Sequence, residues 1–340
     1  MQPADLLPAA GRGNSPANPG VGRAHGKAIL LGEHAVVYGA PALVVPIPQL
    51  TATATATRRP GTGADSGRIT FAMVGPGSAA VTPLATDGLR HLVTEFEKLA
   101  GLPGPLHTEV VIESSIPQGR GLGSSAACAR AAALALADAC GHRIRPSDVY
   151  DLVQSSEMVA HGRASGIDAV ATGATGALMF RSGTAQELPE GAAEHPDAAF
   201  VIADSGIGGS TKAAVELLAG RFDHEPALRE DFVTGVTDLM TAAVHELVHG
   251  DLAGFGSRLT ENHRLLREIG ISTARIDALV EAALAAGALG AKITGGGLGG
   301  CLIALAADAA GAAAVGRALR AAGAVTTWVV PMTRAAGHDD

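Results

Sequence analysis

Residues 117–127 read Pro-Gln-Gly-Arg-Gly-Leu-Gly-Ser-Ser-Ala-Ala: three glycines, two serines and the start of an alanine-rich run. Backbone without a Cβ can approach a ligand closely, and a helix N-terminus offers unpaired N–H groups at the positive end of its dipole. A segment of this kind that opens a helix is therefore a phosphate cradle. Ser124 and Ser125 stand where a hydroxyl either caps the helix or reaches a phosphate-bound Mg²⁺. The plain alternative is a glycine turn with a serine cap and no ligand.

Other phosphate and metal chemistries have weaker support. No Walker A loop is present, because the one Gly-Lys pair, Gly26-Lys27, is followed by Ala28 and lacks the earlier glycine. The cluster Gly295-Gly296-Gly297-Leu298-Gly299-Gly300 contains dinucleotide-fingerprint spacing, but the apolar run 301–306 after it predicts a strand where that fingerprint needs a helix. Neither a His-Arg-Asp nor an Asp-Phe-Gly triplet occurs, which argues against a protein kinase. His245-Glu246-Leu247-Val248-His249 would set two histidines one helical turn apart, fit for Zn²⁺ with Glu246 as base. A solvated helix face is the competing reading, since neither His263 nor Glu268 is fixed as a third ligand.

Strands are predicted over 28–31, 42–47 and 51–57, the last from strict alternation of Thr and Ala. Residues 58–67 predict a loop. Leu89, Leu92, Val93, Phe96 and Leu99 share one face of a helix over 88–99, and a strand over 108–112 runs into the glycine segment. Helices follow over 124–139, ended by Gly141, and over 146–159. A polar linker at 183–196 precedes a strand at 199–203 and suggests a domain boundary. Helices over 211–220, 232–248, 252–269 and 273–286 then lead to a strand at 291–294, the second glycine cluster and the strand at 301–306.

A chain of 340 residues has room for two packed domains. Hydrophobic residues make up 47% but aromatic ones only 3%, so the apolar excess is largely alanine and points to buried helices rather than membrane spans. No run of ~18 strongly apolar residues occurs, because Arg130, Asp138, Glu281 and Lys292 interrupt the Ala/Leu stretches. A net charge of −8 gives no overall attraction for nucleic acid or an anionic membrane, so local groups must meet any phosphate. The first residues, rich in Pro, Ala, Gly and Asn, lack the pattern of a secretory signal and predict a disordered tail over 1–20. Cys128, Cys140 and Cys301 are odd in number and scattered, which suits reduced thiols in a cytoplasm.

Three segments in order resemble the motifs of the GHMP kinase superfamily, and among its branches the mevalonate kinases. They are Gly26-Lys27-Ala28-Ile29-Leu30-Leu31-Gly32-Glu33-His34-Ala35-Val36-Val37-Tyr38-Gly39, the 117–127 segment, and the 292–300 segment. Glu157, the segment 162–168 ending in Asp168, Ser210-Thr211-Lys212 and the helical 261–266 extend the likeness over about 21–306. Galactokinases resemble the first motif but continue differently after Gly-Glu-His. The resemblance implies a two-domain α+β fold. Residues 21–198 would form an N-terminal domain like the second domain of ribosomal protein S5, and 199–335 a ferredoxin-like C-terminal domain, with the site between them.

It also implies ATP and Mg²⁺ as cofactors, mevalonate as substrate, and a homodimer. Pro117, Gly119, Gly121, Leu122, Gly123, Ser124, Ser125, Gly296 and Gly297 would bind ATP, and Ser125 and Glu157 would ligate Mg²⁺. Asp168 would be the catalytic base and Lys27 its electrostatic partner, with Glu33, His34 and Thr211 completing the substrate pocket. A carboxylate is a weak base at neutral pH, so the placement of Asp168 matters more than its basicity. From the residues alone, Lys27 and Glu157 read equally as surface groups, Asp168 as a cap and His34 as a satisfied core histidine. The 294–300 cluster either approaches the triphosphate or packs on the first glycine loop. Phosphomevalonate kinase, another GHMP specificity and a non-catalytic sensor stand as alternatives.

Overall fold

The computed structural model describes residues 18–58, 69–74, 81–83, 86–102, 106–162, 164–189, 191 and 194–332. Most of the predicted tail, nearly all of the 58–67 loop and Arg163 lie outside them.

Strand β1 (Gly20–Leu31) pairs antiparallel with the long β2 (Ala42–Arg58). Along β2 the alternation is realised: Ala52, Ala54 and Ala56 are buried while the threonines between them face outward. After β3 (Ile69–Val74), β4 (Val81–Pro83), α1 (Asp87–Leu99) and β5 (Thr108–Ser114), the glycine segment opens α2 (Ser124–Ala139). Then come α3 (Pro146–His161), α4 (Ile167–Ala171), β6 (Leu178–Arg181) and β7 (Thr184–Glu187). The strands so far make a seven-stranded sheet of order β4-β3-β5-β2-β6-β7, with β1 also on β2 and β3 parallel to β5.

The second lobe holds β8 (His195–Asp204), α5 (Thr211–His224), α6 (Pro226–Val248), α7 (Leu252–Glu268) and α8 (Ala274–Ala285). It continues with β9 (Gly290–Thr294), β10 (Cys301–Ala306), α9 (Ala309–Ala321) and β11 (Thr326–Met332). Its antiparallel sheet of four strands has the order β11-β8-β10-β9. The polar stretch read as a linker thus contains β7, exposed along its length, and the start of β8. Residue 199 lies inside β8, and the change of sheet falls between Glu187 and His195.

Alanine in α2 serves close packing. Ala126, Ala127, Ala131 and Ala135 are wholly buried, and β1 crosses so near that a Cβ at Gly22 would lie 2.1 Å from Ala131 O. A larger residue at either place would push helix and sheet apart. One apolar cluster runs from α2 and β2 to Phe200, Ile202 and Cys301 of the second sheet, so the lobes share a core. The Thr294 hydroxyl also joins them, accepting from Ile29 N at 3.1 Å and donating to Ile29 O at 2.9 Å.

Candidate active site between the lobes

The phosphate loop is built from backbone. Gly123, at φ 77°, is the N-cap of α2 and no side chain caps the helix, so the hydroxyls of Ser124 and Ser125 are not used for capping. Lys27 N donates to Leu122 O at 3.0 Å, tying the loop to β1. The second glycine cluster packs on the first: a Cβ at Gly295 would lie 2.5 Å from Gly121 Cα. Two backbones this close leave no room for side chains, which accounts for glycine on both sides. The same cluster also lines the cleft, so it both packs on the loop and faces the cavity.

Lys27 is buried, with its Nζ 3.0 Å from Asp168 Oδ1 and donating to Gly121 O at 3.2 Å. Asp168 lies in the first turn of α4, whose N-cap is Gly166 and whose start no side chain caps, so neither the loop position nor the capping role holds. The pair faces a cleft that divides into two adjoining hollows.

The hollow of about 530 Å³ is lined by Gly119, Gly121, Gly123, Ser124, Ser125, Gly296 and Gly297. The second, of about 750 Å³, is lined by Lys27, Glu33 and His34, with Ile29, Val36 and Val215 as apolar wall. Glu157, His161, Asp168 and Thr211 border both. Pro117 and Leu122 border neither; the Leu122 side chain is fully buried and anchors the loop in the core.

Glu157, on α3, is buried and its Oε1 has no hydrogen-bond partner. Burial pushes its pKa up and the Asp168 carboxylate pushes it further, against the lowering effects of the Ser125 hydroxyl, His161 and Lys27. A buried carboxylate with a free oxygen next to a hydroxyl, facing a glycine phosphate loop, has the donor chemistry of a hard divalent cation site.

Behind the larger hollow, Glu33 Oε1 accepts from Lys292 Nζ of β9, and both side chains are fully buried. Burial raises the Glu33 pKa and lowers that of Lys292, each opposing the shift in the other. Glu33 Oε2 is left without a partner. His34 beside it adopts φ 60°, uncommon for a residue with a side chain, and its buried Nε2 is also unpartnered. Burial, aided by Lys292, lowers its pKa to about 4. This is not a satisfied core histidine: it is neutral at physiological pH, with a ring nitrogen free for a ligand.

Sequence comparison matches residues 86–176 to the GHMP kinases N terminal domain and 243–325 to the GHMP kinases C terminal domain. The mevalonate kinase of Thermococcus sibiricus is 32% identical over 301 residues, spanning 82% of this chain and 87% of that one. That of Aeropyrum pernix is 33% identical over 292 residues, spanning 83% and 87%. The chain belongs to the mevalonate kinase family of GHMP kinases. The fold agrees: the crystal structure of L. major mevalonate kinase in complex with R-mevalonate superposes with a TM-score of 0.77 at 26% identity, covering 95% of this chain and 99% of that one.

The two-domain α+β expectation holds for this family member. The zinc reading does not. His245 is in the last turn of α6 and His249 is its C-cap, but their rings stack on each other at 4.1 Å, and Glu246 is taken by Arg258 at 2.9 Å. Among the described residues no group of three or more His, Cys, Asp or Glu is placed to hold a metal. No described helix is long and apolar enough to cross a membrane.

Sequence reasoning missed three groups at this mevalonate kinase-family site: Lys292 as the partner of Glu33, His161 on the border of both hollows, and Arg120. The one local signal was a lysine inside an apolar run before the glycine cluster, a place where an ammonium needs a buried partner.

Proposed function

We propose that the protein transfers the γ-phosphoryl group of ATP to the 5-hydroxyl of mevalonate, giving 5-phosphomevalonate and ADP, on the cytoplasmic route to isoprenoids. The observation that carries the reading is the Lys27–Asp168 pair, at 3.0 Å, on the cleft whose two hollows suit a triphosphate and a small hydroxy acid. Asp168 takes the proton of the attacking hydroxyl as its oxygen bonds to the γ-phosphorus and the bridge to the β-phosphate breaks in line. Lys27 holds the Asp168 carboxylate in place and offsets negative charge as it develops. The glycine loop and the α2 N-terminus hold the phosphates.

Ser125 and the free Oε1 of Glu157 fit Mg²⁺, which when bound neutralises charge on the phosphate oxygens. Glu33 Oε2 accepts from a substrate hydroxyl, and His34 and Thr211 complete the acceptor pocket. We place the lobe boundary in the segment between β7 and β8. A phosphomevalonate specificity would need further cations for the extra phosphate. Among the described residues lining the larger hollow, the one Lys or Arg side chain is Lys27, already paired.

A coupled ADP-release assay across mevalonate, phosphomevalonate, galactose and homoserine tests this. Turnover with mevalonate alone is expected. Turnover only with another member of the panel would replace the substrate, and no turnover with any of the four would remove the proposed reaction.

A further inference from the structure

We infer that Arg120 is a positioning residue: its ion pair with Asp204 braces the phosphate loop against the second lobe and so sets the shape of the nucleotide site. The inference rests on reading the smaller hollow as the nucleotide site.

The loop needs such a brace. Gly119, Gly121 and Gly123 all have positive φ, so the segment belongs to no helix or strand ladder and is shaped by what touches it. Arg120 projects from its middle. Its Nε donates to Asp204 Oδ2 at 3.0 Å, and its Nη2 lies 3.4 Å from Gly206 O. Asp204 ends β8, and its other oxygen, Oδ1, accepts from Gly206 N at 2.8 Å. The carboxylate thus holds the Arg120 guanidinium with one oxygen and the turn after β8 with the other. Arg120 is mostly covered, its side chain 21% exposed, and Asp204 is 9% exposed, so solvent screens the pair incompletely.

Two backbone contacts run alongside. Gly209 N donates to Gly119 O at 3.2 Å, and the 299–300 turn comes so close that a Cβ at Gly300 would lie 2.9 Å from Arg120 O. Three segments therefore meet at Arg120: the phosphate loop, the turn after β8 and the second glycine cluster. The turn after β8 leads within a few residues to Thr211, which borders both hollows, so the brace also fixes where that side chain reaches. Charge gives Arg120 a second task. Without the guanidinium, Asp204 would stand as an unpaired carboxylate behind a cavity meant for a polyanion, where like charge disfavours binding.

A guanidinium bordering the hollow could instead contact phosphate itself, and the two roles separate in a double-mutant cycle. The dissociation constant of Mg·AMPPNP is measured by calorimetry on the full chain without mevalonate, for wild type, Arg120→Ala, Arg120→Lys, Asp204→Asn and Arg120→Ala/Asp204→Asn, with thermal melts as folding controls. Bracing predicts that Arg120→Ala weakens binding about tenfold, the scale of one lost charge-assisted hydrogen bond. Asp204→Asn then weakens it as well, the double variant is no worse than Arg120→Ala, and KM for mevalonate changes less than KM for ATP. Arg120→Lys, which keeps the charge but loses the directed Nε bond, falls between.

Wild-type affinity in folded Arg120→Ala overturns the inference. So does wild-type affinity in Asp204→Asn beside a weakened Arg120→Ala, because Arg120 would then act on the nucleotide directly. Should Arg120→Ala not fold, Arg120→Lys and Asp204→Asn decide by the same criteria. A wild-type protein that binds no nucleotide would overturn the reading of the hollow and the inference with it, whereas a wild type that binds nucleotide but ignores mevalonate would change the substrate and leave the brace standing.

Discussion

Two lysine–carboxylate pairs flank the same cleft and differ in access to solvent. In Lys27–Asp168 the lysine is 3% exposed and the aspartate 32%; in Lys292–Glu33 the figures are 0% and 1%. An ion pair open on one side keeps a carboxylate that can meet a substrate and a cation that can answer charge as it appears. A fully buried pair spends its attraction against its own desolvation and acts on the fold, here by joining β9 of one lobe to the turn after β1 of the other. Only the unpartnered Oε2 of Glu33 remains for a ligand. The difference in burial thus separates a pair suited to chemistry from one suited to shape.

The largest effect is expected on the buried side. Lys292→Met should cost about 3–5 kcal/mol in urea unfolding, because it strands the Glu33 carboxylate. Lys292→Met combined with Glu33→Leu should recover much of that stability while still impairing substrate binding. A single variant within about 1 kcal/mol of wild type would break the distinction.

On the open side, Lys27→Met should lower kcat by about 10²–10³, the scale of one lost electrostatic stabiliser. Its effect on stability should be smaller than that of Lys292→Met, since Asp168 keeps some solvent; equal losses in the two unfolding curves would erase the contrast.

A pH measurement sharpens the role of Lys292. His34 and His263 are both lowered to about 4, first by burial, with Lys292 contributing to each. His263 Nδ1 accepts from Ile293 N and its Nε2 lies 3.2 Å from Asp277, so the neutral ring is the one that fits. Because their folded values lie below the unfolded one, the unfolded chain takes up these protons first. The stability they contribute is complete above about pH 6.5 and is lost as pH falls from there toward 4, about 2 kcal/mol per histidine by pH 5. Unfolding midpoints at pH 7 and 5 should therefore converge in His263→Asn and, in part, in Lys292→Met. Unchanged slopes in both would remove the histidines from the account.

The smallest effect is expected at His245 and His249, remote in type from both pairs. His245→Ala should leave turnover and metal content as they were, by coupled assay and elemental analysis. Stoichiometric zinc lost in that variant would restore the metal reading.

What the sequence made legible were features carried by neighbours in the chain. The Thr/Ala alternation of β2, the glycine-to-alanine passage into α2 and the helical spacing of Leu89, Leu92 and Phe96 each encode a local conformation, and each element stands where its pattern put it. β7 left no pattern because it is a short edge strand exposed on both faces, with nothing to bury. The site split in the same way. Lys27, Glu157 and Asp168 were legible through motifs, and the cleft brings them together. The partners of Glu33 and Arg120 were not, since Lys292 lies 259 positions from Glu33 and Asp204 lies 84 from Arg120. Those pairs exist only because the second sheet docks on the first, and no local spacing records that docking.

The contrast between the pairs rests most directly on Asp168. In single-turnover measurements at saturating ATP and mevalonate, Asp168→Asn should lower the rate of phosphoryl transfer by about 10²–10⁴, the range of a lost general base. Both ligand affinities should stay within a few fold of wild type, and the unfolding midpoint should lie near it. A folded Asp168→Asn protein that transfers the phosphoryl group at the wild-type rate would contradict the account.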